Sequence, residues 1–234
     1  MKIDYKNNAL IFPKKKFCII SDLHIGLEDK LINQGISFPF KEIELLKNNL
    51  KEILSSYEIE KVVYNGDILH EFSGVPYAVP QKLDKILALE TQHVFINGSH
   101  DTMLDALLDK RDFVNHQFIL EDEVAITHGD KEIEELKNRD YQLLVVGHDH
   151  PSLEIHGEKK DCFLKQEKCY KNKDVLITPA FSRLSEGIRV NELSSTDLMS
   201  PYLESCRVGD FEVIIEVENE VLHFPKLREF REKL

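Results

Sequence analysis

The stretch Val145 to His150, VVGHDH, constrains this chain most: an apolar, β-branched run delivers two histidines two residues apart at its end. Two residues is the period of an extended strand, so His148 and His150 can present both imidazoles to one place. The same construction occurs earlier in the chain. Ile19-Ile20 precedes Asp22 and His24, Val62-Val63 precedes Asp67, Val94-Phe95-Ile96 precedes His100, and Ala125-Ile126 precedes His128. Buried strands that end in Asp or His predict one polar site at their carboxyl ends, where open α/β sheets place their ligands.

The rest of the pattern fits such a sheet. Phe17 to Ser21 is continuous enough in apolar residues to be a strand buried on both faces. Phe40, Ile43, Leu46, Leu50 and Ile53 then recur at helical spacing after a loop at Gly35 to Pro39, and Lys61 to Tyr64 returns as a strand, completing a β-α-β unit. Phe72 to Pro80, with Gly74 and Pro76, predicts a connection, and Leu83, Ile86, Leu87 and Leu89 predict a second helix before a strand at Gln92 to Ile96. A short helix around Met103 to Leu108 is expected, capped by Asp101 or Thr102. Strands follow at Phe118 to Leu120, Val124 to Thr127 and Gln142 to Val146, with a helical turn at Glu132 to Lys137. Ile3 to Ile11 predicts an edge strand or arm, and Lys14-Lys15-Lys16 a solvated turn. Beyond Pro151 the texture changes to short strands near Leu153 to His156, Cys162 to Leu164 and Val175 to Ile177, closed by a hairpin of Phe211 to Val217 with Glu220 to His223. Helices alternating with strands and then strands alone predict two mixed sheets packed face to face with helices outside, a four-layer αββα sandwich. A single domain over 1–234 is expected, its core at about 17–190, with a loop-like segment from Asn191 to Asp210.

Carboxylates and imidazoles together suit borderline divalent ions such as Mn, Zn, Fe or Ni, whereas a structural zinc site would recruit cysteine. Asp22, His24, Asp67, His128, His148 and His150 are too many ligands for one tetrahedral ion and suit two ions sharing a carboxylate. Two-metal sites of that kind clamp attacking and leaving oxygens in displacements at phosphorus. Each residue alone has a plainer reading: Asp22, Asp67 and Asp101 as helix caps, His100 or His128 as hydrogen-bonded loop histidines. Caps do not explain why His recurs at strand ends. His93, His116, His156 and His223 lack ligand neighbours and are expected to be structural. His70 is balanced between a place near the substrate and a plain turn position. Arg183 and Arg189 are expected in surface ion pairs rather than on a substrate phosphate.

In order, the chain carries Asp22-Leu23-His24, Gly66-Asp67, Gly98-Ser99-His100-Asp101, His128-Gly129 and Gly147-His148-Asp149-His150. It thereby resembles the calcineurin-like metallophosphoesterases, whose pattern is D-x-H, G-D, G-N-H-[DE], H-G and G-H-x-H. DLHIGLE at Asp22 to Glu28, GISFP at Gly35 to Pro39, His70, His150-Pro151 and ITPAF at Ile177 to Phe181 before Gly187 narrow the likeness to the ligase-associated DNA-processing metallophosphoesterases and their archaeal relatives. The resemblance implies that Asp22, His24 and His150 hold one divalent ion, His128 and His148 a second, and that Asp67 bridges. Mn is the leading candidate, with Zn, Fe, Ni or Mg as others. It further implies hydrolysis of a phosphodiester by water that the ions activate, with His100 beside the leaving group and Asp101 orienting it. DNA is a candidate substrate and DNA-processing proteins are candidate partners. The chain departs from the pattern at Ser99, where the family has an Asn that binds the second ion. A serine hydroxyl is a poor ligand, so a weaker second site is expected, and a degenerate, non-catalytic scaffold stands as an alternative, beside a small-molecule phosphomonoesterase or cyclic-nucleotide enzyme.

The net charge of −12 argues against a generic nucleic-acid binder, whose footprint would be basic. Two bound divalent ions would restore positive charge where a phosphate approaches. Cys18, Cys162, Cys169 and Cys206 form no C-x-x-C pair, and the early apolar run Phe17 to Ile20 is too short for a signal peptide. Reduced thiols, a cytoplasmic location and no membrane contact are expected.

Overall fold

The computed structural model describes residues 1–70, 77–192 and 198–231. Its first sheet contains β1 (Asp4–Lys6), β2 (Ala9–Phe12), β3 (Phe17–Ile20), β4 (Lys61–Asn65), β5 (Gln92–Ile96) and β6 (Asn115–His116) in that spatial order. Strands β3 to β6 run parallel, and β1 and β2 form an antiparallel hairpin on the β3 edge. The remaining strands are β7 (Ile119–Glu121), β8 (Val124–Ile126), β9 (Leu143–Val146), β10 (Pro151–Ile155), β11 (Glu158–Asp161), β12 (Phe163–Tyr170), β13 (Lys173–Ile177), β14 (Ile188–Arg189), β15 (Glu212–Val217) and β16 (Glu220–Lys226). Seven of them make the second sheet, ordered β16-β15-β12-β13-β9-β8-β7, while β11-β10-β14 form a small third sheet.

Strand periodicity divides the side chains between two cores. Phe17 and Ile19 face inward with Val63, Ile96, Ile126, Val145 and Leu176 of the opposite sheet or neighbouring strands, and no water reaches them. Cys18, Ile20, Val62 and Tyr64 face outward, under helices α2 (Glu42–Tyr57), α3 (Ala78–Leu87) and α4 (Leu104–Asp109). The stripe of Ile43, Leu46, Leu50 and Ile53 is buried as its spacing predicts; fully burying each such side chain contributes roughly 1.5–3 kcal/mol. Helix α1 (Leu27–Asn33) precedes α2, and α5 (Leu227–Phe230) closes the described chain. The mixed two-sheet sandwich expected from the sequence is present. Its layer over the second sheet is built of short 3-10 turns, Glu134–Asn138 and Pro201–Leu203, rather than long helices.

Several local expectations are corrected. Phe40 precedes α2 instead of belonging to it. The N-cap of α4 is Met103, without a side-chain cap bond, so neither Asp101 nor Thr102 serves there. Cys169 and Cys206 form a disulfide with Cα atoms 5.1 Å apart, so those two thiols are not reduced; a separation of 37 residues hid the pair from the sequence. Cys18 and Cys162 are buried and unbonded. α1, α5 and β11 were missed because they are short and polar. Of the expected connection at Phe72 to Pro80, residues 72–76 lie outside the described residues, as do 193–197 of the loop-like segment. No helix among the described residues is long and apolar enough to cross a membrane.

Candidate metal centre

The loops that leave β3, β4, β5, β8 and β9 meet at one point because the strands carrying them are parallel neighbours in two facing sheets. Beneath that point a buried polar seam joins the sheets. Ser21 Oγ and Thr178 Oγ1 lie 2.7 Å apart, Thr178 donates to the Val146 carbonyl at 3.1 Å, and Asn65 Nδ2 donates to Ser21 Oγ at 3.3 Å. Backbone bonds then zip the ligand loops together: Asp22 N–H to the Gly66 carbonyl at 3.1 Å, His24 N–H to that of Asp67 at 2.9 Å, and Gly147 N–H to that of His128 at 2.9 Å.

The turns that aim these side chains use unusual backbone. Asp22, His24, Asp67, His148 and His150 all have positive φ, between 43° and 69°. Non-glycine residues in that region carry strain of order 1–3 kcal/mol each and persist only where the surroundings over-determine them. Two glycines permit the close approach. A Cβ on Gly66 would overlap the His128 ring, and one on Gly98 would overlap the Asp67 backbone.

Two groups of side chains have ligand atoms within 4.8 Å of one another in the combinations expected: Asp22, His24 and His150, and Asp67, His128 and His148. A third, His24, His70 and His100, shares His24. His150 Nε2 lies 2.9 Å from Asp22 Oδ1, and His128 Nε2 lies 3.3 Å from Asp67 Oδ1. The outer nitrogens are anchored: His128 Nδ1 donates to the Asn65 carbonyl at 3.1 Å and His150 Nδ1 to that of Glu186 at 3.3 Å. That leaves each Nε2 for the centre, the usual arrangement of ligating imidazoles. Asp22 Oδ1, both nitrogens of His24, and Nε2 of His128 and His150 are buried with no hydrogen-bond partner. Buried polar atoms are seldom left that way. A convergent set of orphaned oxygens and nitrogens fits divalent cations.

The electrostatics agree. Burial pushes His24 down to about 3, so it is neutral and free to ligate. Burial alone would also lower His128, but contact with Asp67 and the charges of Asp22 and Asp67 outweigh it and raise the imidazole to about 10. Asp67 shows the converse. Burial would raise it, yet His128 and the His100 N–H hold it well below the usual carboxylate range.

His100 donates its backbone N–H to Asp67 Oδ1 at 2.8 Å and its Nδ1–H to the His70 carbonyl at 3.0 Å, which brings Nε2 to 3.8 Å from Asp67 Oδ2. Ser99 Oγ lies 3.3 Å from both Asp67 oxygens and donates to that carboxylate. Asp101 does not orient the His100 ring. Its carboxylate accepts the N–H groups of Gly98 and Leu69 at 2.9 Å and of Ile68 at 3.3 Å, tying two ligand loops together. His70 packs against the centre, its ring stacked on His100 with centroids 5.6 Å apart and its Nε2 3.0 Å from Lys30 Nζ. His93 is structural, bonded to the Tyr64 hydroxyl at 2.8 Å. Arg189 pairs with Glu154 at 3.2 Å, whereas Arg183 has no ion pair among the described residues. The sequence reading missed Ser21, Asn65, Thr178 and Asp149; polar residues at the ends of wholly buried strands were the available signal.

A two-sheet α/β sandwich with an Asp/His cluster at its strand ends defines a phosphoesterase class. Residues 16–164 match the calcineurin-like phosphoesterase superfamily domain, and the chain belongs to that family. The nuclease MPE of Pseudomonas putida has a similar solved structure, with TM-score 0.64 and 18% identity, covering 95% of this chain and 99% of that one. The E. coli phosphoesterase Yfce is also similar, with TM-score 0.42 and 14% identity over 88% of this chain and 90% of that one. No curated protein matches the chain.

Proposed function

We propose that this protein is a metal-dependent phosphodiesterase acting on nucleic acid, with DNA processing as its setting. The observation that carries the reading is the convergence of two ligand groups, Asp22/His24/His150 and Asp67/His128/His148, on one strand-end site beside His100. Asp67, grouped with His128 and His148, is the carboxylate that would be shared between two ions. Divalent ions there, Mn first and Zn, Fe, Ni or Mg as the other candidates, would polarise a phosphoryl oxygen and lower the pKa of a nearby water. The chain's own residues do the rest. His100, fixed by the His70 carbonyl, presents Nε2 to the leaving oxygen, where an imidazole can donate a proton or a hydrogen bond. The 3.8 Å between that nitrogen and Asp67 Oδ2 keeps the donor beside the ligand set. Asp101 keeps the Gly66-Asp67 and Gly98 loops in register through its three backbone bonds. The Pseudomonas putida nuclease supports a polynucleotide over a small phosphomonoester. DNA-processing proteins are the proposed partners.

Ser99 supports a second reading, in which catalysis is lost and the sandwich serves as a scaffold. One assay separates them. Metal-stripped protein is given Mn, Zn, Ni or Mg and offered bis-p-nitrophenyl phosphate, p-nitrophenyl phosphate, a cyclic nucleotide and single- or double-stranded DNA, with His148→Ala as control. We expect metal-dependent hydrolysis of the diester and of DNA. Absence of turnover on every substrate would favour the scaffold, and diester hydrolysis without DNA cleavage would favour a small-molecule enzyme.

A further inference from the structure

The histidines of the centre are not held alike. His128, His150 and His100 are each anchored through Nδ1 on a backbone carbonyl. The His148 ring has no hydrogen bond among the described residues; it meets the His128 ring edge-on, with centroids 5.0 Å apart. Ligating imidazoles ordinarily depend on an outer hydrogen bond for their orientation. For His148 that task falls to its backbone, which is left-handed at φ 69° and donates its N–H to Asp22 Oδ2 at 3.3 Å.

Next to it stands Asp149, only 1% exposed and a member of neither ligand group. Its carboxylate accepts the backbone N–H of Met199 at 2.6 Å and of Ser200 at 3.3 Å, fifty residues onward in the chain. These two belong to a strap, residues 198–206, that is itself fixed at several points. The Tyr202 hydroxyl accepts the Ile133 N–H at 2.8 Å, its ring meets Tyr170 edge-on, and Cys206 is bonded to Cys169 on β12. Ser200 Oγ also lies 3.1 Å from where a Cβ on Gly129 would stand. The strap therefore touches the His128 loop at Gly129 and Ile133 and the His148 loop at Asp149. Both histidines belong to the same ligand group, with Asp67. The other group depends on Asp22 and His24, in the loop that follows β3 of the first sheet, and on His150, which has its own anchor at Glu186.

We propose that Asp149 is a positioning residue for the ion held by Asp67, His128 and His148, acting by clamping the strap 198–206 to the two-histidine loop. The inference rests on the metal-dependent reading above. Its experiment reads metal rather than turnover: metal-stripped protein is titrated with Mn(II), and free and bound ion are followed by electron paramagnetic resonance. Wild type is expected to bind two ions. Asp149→Ala is expected to weaken one of them about 10- to 100-fold, the usual cost of losing an outer partner of a metal site, and to leave the other within about threefold. Asp149→Asn, whose single amide oxygen can still accept the shorter bond, from Met199 N–H, but not that of Ser200 as well, is expected to restore part of the loss. Tyr202→Phe, which frees the strap at a distance from every ligand, is expected to weaken the same ion to a smaller degree and decides the matter if Asp149→Ala does not fold. Wild-type affinity for both ions in Asp149→Ala, or in Tyr202→Phe where Asp149→Ala does not fold, overturns the positioning role while leaving the metal-dependent reading intact. Equal loss of both ions, without rescue by Asn, also overturns it. A wild type that binds no ion overturns the metal-dependent reading itself.

Discussion

Replacing Asp101 by Ala tests the buttress of the centre without touching a ligand. The Asp101 carboxylate is 1% exposed and accepts three backbone N–H groups, from Gly98, Leu69 and Ile68. Alanine leaves all three donors buried, at about 1–3 kcal/mol each for an unsatisfied group. Water entering the space left by the carboxylate satisfies part of that demand, so about 3–5 kcal/mol is the expected loss, at the low end of the sum. For a domain of this size each kcal/mol lowers Tm by about 2–4 °C, which places the fall at about 6–20 °C. The assay is calorimetry of metal-free wild type, Asp101→Ala and Asp101→Asn, with Asn expected between the other two because its amide oxygen still accepts. The pH dependence gives a second check. Burial, aided by the charge of Asp67, raises the Asp101 carboxyl to about 7. A group raised in the folded state stabilises fully below its unfolded value, near pH 4, and that contribution is lost as pH rises through the folded value. The stability of wild type relative to Asp101→Asn should therefore decline between about pH 4 and 7. A Tm fall below about 3 °C for Asp101→Ala would refute the idea that this carboxylate holds the loops.

The other expectations concern the ligands, the glycines and the disulfide. In the metal-free protein the proton on His128, held up to about 10, stabilises below its ordinary value near 6.5 and is lost as pH rises through 10. A divalent ion must displace that proton, so Mn affinity should rise across the same window with proton release, seen by titration calorimetry in buffers of different ionisation heat; a flat profile sinks this account. Gly98→Ala, whose methyl would overlap the Asp67 backbone, should lose metal and at least about 1–3 kcal/mol of stability, read by urea unfolding. Cys206→Ser opens a loop of 37 residues and should cost about 3–4 kcal/mol under oxidising conditions and far less once wild type is reduced. Ser99→Asn, which brings an amide oxygen toward the ion of Asp67, His128 and His148, should increase both its occupancy and diester turnover; unchanged occupancy means that other groups compensate.

Much of the candidate centre was legible in the chain because its Asp and His residues follow buried strands. Val145-Val146 before His148, or Val62-Val63 before Asp67, are local patterns: an apolar run fixes the strand, and the parallel sheet fixes which end carries the chemistry. The two ligand groups assemble in the combinations that the resemblance implied. Asp101 was assigned to the wrong partner. Only the fold reveals that its carboxylate faces Ile68 and Leu69, about thirty residues earlier in the chain, while His70 supplies the carbonyl under His100.

The amino-acid sequence by itself determined most of the core strands, the two-sheet class and which Asp and His residues meet at the strand ends, since each follows from the residue types within one short window. Tertiary structure alone decided how those ligands are held. The Asp149 clamp on residues 198–200, the Cys169–Cys206 pair and the Ser21–Thr178 seam join positions 37 to 157 residues apart. No local propensity encodes such pairings. They arise because two packed sheets bring distant polar groups into one dry interior, where each must find a partner.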